Sequence, residues 1–188
     1  MLNEQYNGIY AALVTPYHSD GSVNYDELQR LVDHLIGQGL NGFYVNGSTA
    51  EAFLLSREER EKLLEAAVEA SGGRAKVICH VGAISTDEAI HYARHAEEKG
   101  ADADSAISPF YYKFSDREII RYYNDIMSST GLPMFVYNFP NFSGFSLTAE
   151  VLDELAQNKN LAGVKFTSSD MFLLEQIKTS HPEMAVWN

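Results

Sequence analysis

The sequence predicts an α/β protein of the (β/α)8 TIM barrel class. Short apolar runs alternate with amphipathic helical segments along the 188 residues, as expected of parallel strands that are buried on both faces. An open doubly wound sheet fits the same alternation. Such a sheet usually carries a glycine fingerprint after its first strand, where this sequence has Thr15-Pro16-Tyr17. Polar candidates instead follow several strands, which favours the barrel. They are Thr15, Ser48, Thr49, Tyr111, Tyr137 and Lys165.

The predicted elements follow one another without a linker or a shift in composition, so residues 1–188 are expected to form a single domain. Strands are expected at 8–16, 42–45, 76–81, 103–109, 133–137, 161–166 and 184–187. Asn24, Ser56 and Ser115 each precede a Glu by three residues, which predicts capped helix starts. Further helices are expected from Thr86, near Thr148 and from Met171.

Composition excludes several classes of function. The net charge of −12 argues against non-specific binding to nucleic acid or to anionic membranes, although an anionic small substrate fits a locally positive site. The one cysteine, Cys79, excludes an internal disulfide framework. No leader or membrane-spanning run is visible, so a cytoplasmic location is expected. We expect no metal site, because His91 and His95 lack an acidic residue between them. No cofactor is expected either.

Lys165 is the first catalytic candidate because it lies in the otherwise apolar strand 161–166. A buried lysine is costly unless it has a function; the alternative is a lysine whose amine reaches water beyond the strand end. With a free pKa of about 10.4, roughly one lysine in several thousand is neutral at pH 7. Burial would recover much of that factor and yield a nucleophile. Thr167, two residues later, is expected on the same side of the strand.

Two further segments complete a candidate site. In the loop 46–51, Gly47 is expected to let the backbone turn, and Ser48 and Thr49 add hydroxyl donors that suit a carboxylate; a plain polar loop is the alternative. Tyr137 closes the fifth strand and is a candidate for proton transfer, or else an aromatic plug. Together these residues predict a 2-oxo acid site, with the carboxylate on Ser48 and Thr49 and the carbonyl carbon on Lys165.

Four motifs occur in order along the whole chain: 47–51 (Gly-Ser-Thr-Ala-Glu), 108–112 (Ser-Pro-Phe-Tyr-Tyr), 136–138 (Val-Tyr-Asn) and 163–165 (Gly-Val-Lys). On these motifs the sequence resembles the pyruvate-dependent class I aldolases, the family that contains N-acetylneuraminate lyase and dihydrodipicolinate synthase. The segments 10–16, 105–112 and 165–170 favour the lyase branch.

The resemblance implies a homotetramer and the reversible cleavage of N-acetylneuraminate to N-acetylmannosamine and pyruvate. It implies Lys165 as the Schiff-base lysine, Tyr137 as the proton-transfer phenol, Ser48 and Thr49 as carboxylate ligands and Thr167 as a substrate contact. Tyr111 aligns with a tyrosine that, in the synthase branch, reaches a neighbouring subunit's site. The alternatives are a synthase or another pyruvate-dependent aldolase, and an inactive fragment that assembles with a complementary C-terminal chain.

The sequence departs from the family pattern in three places. Ala50 replaces a glycine, and its methyl group is either tolerated or crowds the loop. Asp104 stands where the family generally has an aliphatic residue, and an unpaired buried carboxylate there would be costly. The sequence ends at Asn188, so the barrel is expected to be truncated after about the seventh strand. A deliberate fragment, a split enzyme and a partial sequence each explain that end.

Overall fold

The computed structural model of the chain describes residues 2–188, which form two compact units. We call residues 8–80 with 95–103 the turn unit, because they include the 46–51 loop. We call residues 2–7, 81–94 and 104–188 the lysine unit, because they include Lys165. Strands and helices alternate as predicted. The strands are β1 (Tyr10–Ala12), β2 (Gly42–Val45), β3 (Lys76–His80), β4 (Ala103–Ile107), β5 (Met134–Asn138), β6 (Leu161–Phe166) and β7 (Ala185–Trp187).

The predicted helices are present, and four short ones were not predicted. The α-helices of the described residues are α1 (Leu2–Gln5), α2 (Tyr25–Gly37), α3 (Arg57–Ser71), α4 (Thr86–Lys99), α5 (Asp116–Met127), α6 (Pro140–Ser143), α7 (Ala149–Leu155) and α8 (Met171–Ser180). The additional short helices are α1, α6 and the 3-10 turns Ser48–Ala50 and Ala52–Leu54. Each is a single turn, too short to show a hydrophobic period.

The predicted helix starts are confirmed by their hydrogen bonds. Ser56 and Ser115 each form a reciprocal capping box with the Glu three residues later, before α3 and α5. The side chain of Asn24 accepts a hydrogen bond from the amide of Glu27 and begins α2. Each cap satisfies amides that the first helical turn leaves without a backbone partner.

The first strand is shorter than predicted. Residues 8–16 were expected to be extended, but only Tyr10–Ala12 pairs with Gly42–Tyr44 of β2. The amide of Ile9 donates to the Asn41 side chain at 2.8 Å instead of to a neighbouring strand. The apolar run therefore predicts a strand that is too long. At its start, the Asn41 side chain accepts the hydrogen bond that a neighbouring strand would otherwise accept from Ile9.

In the turn unit, β2 pairs in parallel with both β1 and β3. The core of this unit includes Phe43 and Ile78, both fully buried, together with Leu63 of α3. Cys79 pairs with Val45 and is 2% exposed. The thiol is therefore a small core side chain of this unit.

In the lysine unit, β4 to β7 pair in parallel in chain order. The β5–β6 register places Tyr137 opposite Lys165. Phe135 stacks on Trp187 with ring centroids 4.0 Å apart, and Tyr6 packs edge-on against Phe135 at 5.1 Å. Trp187 also donates its indole N–H to the carbonyl of Tyr6 at 3.0 Å. An aromatic cluster is therefore centred on Phe135, two residues before Tyr137 on the same strand.

Asp104 is 1% exposed on β4, as the sequence predicted. Thr130 donates its hydroxyl to Oδ2 of Asp104 at 3.5 Å, so the carboxyl group has a polar neighbour inside the lysine unit. No helix within residues 2–188 combines the length and the apolar character that crossing a membrane requires.

Candidate active site

Lys165 is the one half-buried residue in an otherwise buried strand β6. Gly163, two residues earlier, lies so close to β7 that an added Cβ would come within 1.8 Å of the carbonyl oxygen of Ala185. A side chain at position 163 would push these strands apart. The glycine of the 163–165 motif is therefore needed for close strand packing beside the lysine.

The environment of the Lys165 amine favours its neutral form. Burial lowers the pKa of Lys165 to about 8, because the ammonium loses water that the strand does not replace. At that pKa about one amine in ten is neutral at pH 7. The Tyr137 ring works in the opposite direction, since Nζ lies 3.5 Å from its centroid and a π-face favours a cation. Burial is the cause of the lowered pKa of Lys165, and a fully hydrated amine would not have it.

The structure brings three of the predicted residues together. Nζ of Lys165 donates to Oγ1 of Thr167 at 3.3 Å, which confirms that both side chains lie on the same side of β6. Tyr137 is 4% exposed and presents its ring face to the amine. Its ring also packs against Phe139 at 5.6 Å. A role for the phenol in proton transfer stays a prediction.

Ser48 and Thr49 belong to the turn unit and are exposed to solvent. They lie in the 3-10 turn Ser48–Ala50. The prediction that Gly47 supplies the backbone freedom of this loop is wrong, because its φ of −81° is open to other residues. In this loop, the residues with left-handed backbones are Asn46, at φ 59°, and Glu51, at φ 57°.

Gly47 is required for a different reason, which is the close approach of an aromatic ring. An added Cβ would come within 2.7 Å of Cε1 of Tyr44. The far end of the turn is held by Thr15, whose hydroxyl donates to the carbonyl of Ala50 at 2.6 Å. Ala50 itself is 3% exposed, so its methyl group is tolerated inside the unit.

Tyr111 lies in an aromatic cluster that is exposed to solvent. Its side chain is 84% exposed, and its ring packs edge-on against Tyr112 at 5.0 Å. The backbone of Tyr111 has a φ of 75°, which is uncommon for a residue other than glycine. Tyr111 lines an open groove with Phe114 and Phe142. The structure therefore places it in an exposed aromatic cluster, where a role at a substrate site stays a prediction.

Three buried polar residues that pack near the Ser48–Ala50 turn were not predicted from the sequence. Asn46, Arg60 and His80 are 3%, 4% and 1% exposed, respectively. Asn46 precedes a glycine in a turn, and asparagine tolerates the left-handed region, so the sequence carried a signal for it. Arg60 and His80 carried none, because their partners are distant in sequence. Within residues 2–188, no group of three or more His, Cys, Asp or Glu side chains is placed to hold a metal ion.

Comparisons with known proteins identify the class to which this fold and these residues belong. The model of the dihydrodipicolinate synthetase family matches residues 5–188. The N-acetylneuraminate lyase of Salmonella typhimurium is 43% identical over 182 residues, which cover 96% of this chain and 61% of that protein.

Two solved structures have the same fold. The catalytic lysine mutant of the Ruminococcus gnavus sialic acid aldolase superposes with a TM-score of 0.95 at 31% identity, covering 98% of this chain and 61% of the other. The dihydrodipicolinate synthase of Aquifex aeolicus superposes with a TM-score of 0.93 at 30% identity, covering 96% of this chain and 62% of the other.

The chain belongs to the dihydrodipicolinate synthetase family. Its fold is of the (β/α)8 TIM barrel class, and residues 2–188 carry seven of the strands. It spans about 61% of the length of the curated lyases that it matches.

Proposed function

We propose that this chain carries the Schiff-base lysine and the pyruvate-binding residues of an N-acetylneuraminate lyase. The proposal rests on one observation, which is the environment of the Lys165 amine. Lys165 is half-buried, has a pKa lowered to about 8, and donates to Thr167 beside the Tyr137 ring. Such an amine is a nucleophile near neutral pH. The similarity to the lyases of Salmonella and Ruminococcus supports the choice of reaction.

In the proposed reaction, the neutral amine of Lys165 attacks the C2 carbonyl carbon of N-acetylneuraminate. Loss of water from the resulting carbinolamine leaves an iminium ion. The C3–C4 bond then breaks, its electron pair forms the C2=C3 double bond of an enamine, and the π pair of the iminium C=N bond moves to the nitrogen. The C4 hydroxyl loses its proton and becomes the aldehyde of N-acetylmannosamine. Protonation of the enamine at C3 and hydrolysis release pyruvate and restore the amine.

The other residues have supporting roles in this proposal. Ser48 and Thr49 bind the carboxylate through their hydroxyl groups. The Tyr137 phenol transfers the protons of imine formation and bond cleavage. Thr167 orients the amine through its hydrogen bond. Tyr111 contacts substrate at the site of a neighbouring subunit in a homotetramer, and the protein acts in the cytoplasm.

Borohydride trapping tests the nucleophile. Incubation with pyruvate and borohydride should add one reduced pyruvyl unit, which peptide mass spectrometry should locate at Lys165. Lys178, exposed on α8, is the internal control and should stay unmodified. An adduct at another lysine, or no adduct, would contradict the proposal.

A second candidate is a dihydrodipicolinate synthase or another pyruvate-dependent aldolase, which the similarity to the Aquifex synthase supports. It shares the Lys165 adduct and differs in the second substrate. Cleavage of N-acetylneuraminate assayed beside condensation of pyruvate with aspartate semialdehyde separates the two. Weak turnover that rises when a C-terminal lyase segment is added would favour the complementary-chain alternative.

A further inference from the structure

Three buried residues of the turn unit form a closed ring of hydrogen bonds. The side-chain amide of Asn46 donates to the carbonyl of Arg60 at 2.8 Å. The guanidinium of Arg60 donates through Nη2 to the carbonyl of His80 at 3.0 Å. Nδ1 of His80 lies 2.9 Å from the carbonyl of Asn46. A carbonyl oxygen only accepts, so Nδ1 of His80 carries a proton and donates. Each of the three side chains therefore donates to the main-chain carbonyl of the next residue in the ring.

The ring joins three different elements at one place. Asn46 directly follows β2, Arg60 lies on α3, and His80 ends β3. All three residues are more than nine-tenths buried, so water competes weakly for these hydrogen bonds. The ring of Phe53 packs edge-on against His80 at 5.8 Å and restricts the imidazole further. The position of residue 46 is therefore fixed to a helix and to a strand at the same time.

The ring holds a strained residue directly before the predicted carboxylate turn. Asn46 has a φ of 59°, and a residue other than glycine keeps such a backbone when its surroundings enforce it. The bond from His80 fixes the carbonyl of the Asn46–Gly47 peptide. Because a peptide group is planar and trans, the amide of Gly47 must point away from His80. The ring thus sets the direction in which the chain enters the Ser48–Ala50 turn.

We propose that Asn46, Arg60 and His80 are positioning residues that hold the Gly47–Ala50 turn in the conformation that binds the substrate carboxylate. The proposal rests on the proposed function, and it assigns a role to residues that do not themselves touch the substrate. Carboxylate binding by hydroxyl and amide donors depends on their direction as well as their distance. Loss of one bond of the ring should therefore weaken carboxylate binding more than it slows the chemistry at Lys165.

Variants of His80 separate donation from packing. His80→Leu removes the donor, whereas His80→Asn keeps an N–H near the position of Nδ1. Asn46→Gly keeps the left-handed backbone and removes the side-chain donor, so it tests the ring without a change in His80. Val32→Ala, in the core of the same unit on α2, is the control for a general loss of stability.

The first measurement is borohydride trapping at Lys165 over a range of pyruvate concentrations. His80→Leu and Asn46→Gly should raise the half-saturating concentration by about fivefold to tenfold, as expected for one lost buried hydrogen bond, with the limiting rate of trapping little changed. His80→Asn should stay within about twofold of the parent chain, and Val32→Ala should match it.

The second measurement is amide hydrogen exchange of the peptide that spans residues 46–52, without ligand. Exchange there should be faster in His80→Leu and Asn46→Gly than in Val32→Ala, while α5 of the lysine unit exchanges at the parent rate.

Unchanged half-saturation in both ring variants, or a His80→Asn variant as impaired as His80→Leu, would overturn the positioning role. A parent chain that forms no adduct contradicts the proposed function and the carboxylate part of this inference. In that case the exchange measurement decides alone whether the ring holds the turn.

Discussion

The lysine cluster and the Ser48–Ala50 turn are organised by different kinds of interaction. Lys165 and Tyr137 are register partners on adjacent strands, and Thr167 follows two residues after the lysine. Strand register and the two-residue period of an extended chain bring these three positions together. The Ser48–Ala50 turn instead depends on side chains that reach main-chain carbonyls from distant positions, with Thr15 at one end and the Asn46–Arg60–His80 ring at the other. Side chains on strands are thus positioned by strand pairing, whereas side chains on the turn are positioned by a few buried polar contacts.

The strongest test of the lysine cluster is removal of its amine. Lys165→Ala should abolish trapping by pyruvate and borohydride, because no other residue supplies the nitrogen of the Schiff base. Intact-mass measurement after reduction checks this. Lys178→Ala is the matched control and should trap pyruvate as the parent chain does; residual labelling in Lys165→Ala would assign the nucleophile elsewhere.

Gly163→Ala tests whether strand pairing places the lysine. Its Cβ would meet the Ala185 carbonyl at 1.8 Å, so we expect a loss of about 2–3 kcal/mol in the free energy of unfolding. Gly37→Ala, where an added Cβ has no neighbour within 4 Å, should be neutral or stabilising by up to about 1 kcal/mol. Urea denaturation measures both. Equal stabilities of the two variants would show that β6 and β7 adjust freely.

The pH dependence of trapping tests the burial of the amine. The pKa of Lys165 is lowered to about 8, so the neutral fraction falls tenfold for each pH unit well below that value. The trapping rate should rise about 50-fold between pH 6 and pH 8 and then level off. The unfolded chain keeps the ordinary lysine pKa, so stability should also rise as pH increases from 8 towards 10.5. A rate that still rises tenfold per unit above pH 9 would indicate a hydrated amine.

Thr15→Val tests whether a buried side-chain contact holds the Ser48–Ala50 turn. Valine keeps the shape of threonine and removes the 2.6 Å bond to the Ala50 carbonyl, which should cost about 1 kcal/mol. We expect faster hydrogen exchange in residues 48–52 and a half-saturating pyruvate concentration a few times higher. Ser115→Ala removes a helix cap in the lysine unit at a similar cost. If Ser115→Ala accelerates hydrogen exchange in residues 48–52 as much as Thr15→Val does, the effect of Thr15→Val is not local.

Much of the fold follows from the sequence because its signals are local. The boundaries of β2 and β6 and the capping boxes at Ser56 and Ser115 depend on residues a few positions apart. The start of the first strand was overestimated because the amide of Ile9 binds the side chain of Asn41, more than thirty residues later. A local pattern carries no information about that contact.

In the candidate site, too, local features were predicted and features set by distant contacts were not. Period two predicted the Lys165–Thr167 contact, and burial predicted the lowered pKa of the lysine. The ring-face contact of Tyr137 required the side-chain geometry, since the register alone leaves the orientation of the phenol open. His80 was invisible because it donates to Asn46, 34 residues away. The role of Gly47 was misjudged, because the aromatic ring that excludes a side chain there belongs to Tyr44.

The distribution of two rare residues makes each compact unit observable by itself. The chain contains one tryptophan and one cysteine. Trp187 is stacked on Phe135 in the lysine unit, and Cys79 is buried on β3 in the turn unit. Indole fluorescence therefore follows the melting of one unit, and the labelling rate of the thiol by an aqueous reagent follows the opening of the other. A single sample, with no engineered probe, can report whether the two units unfold together or in sequence.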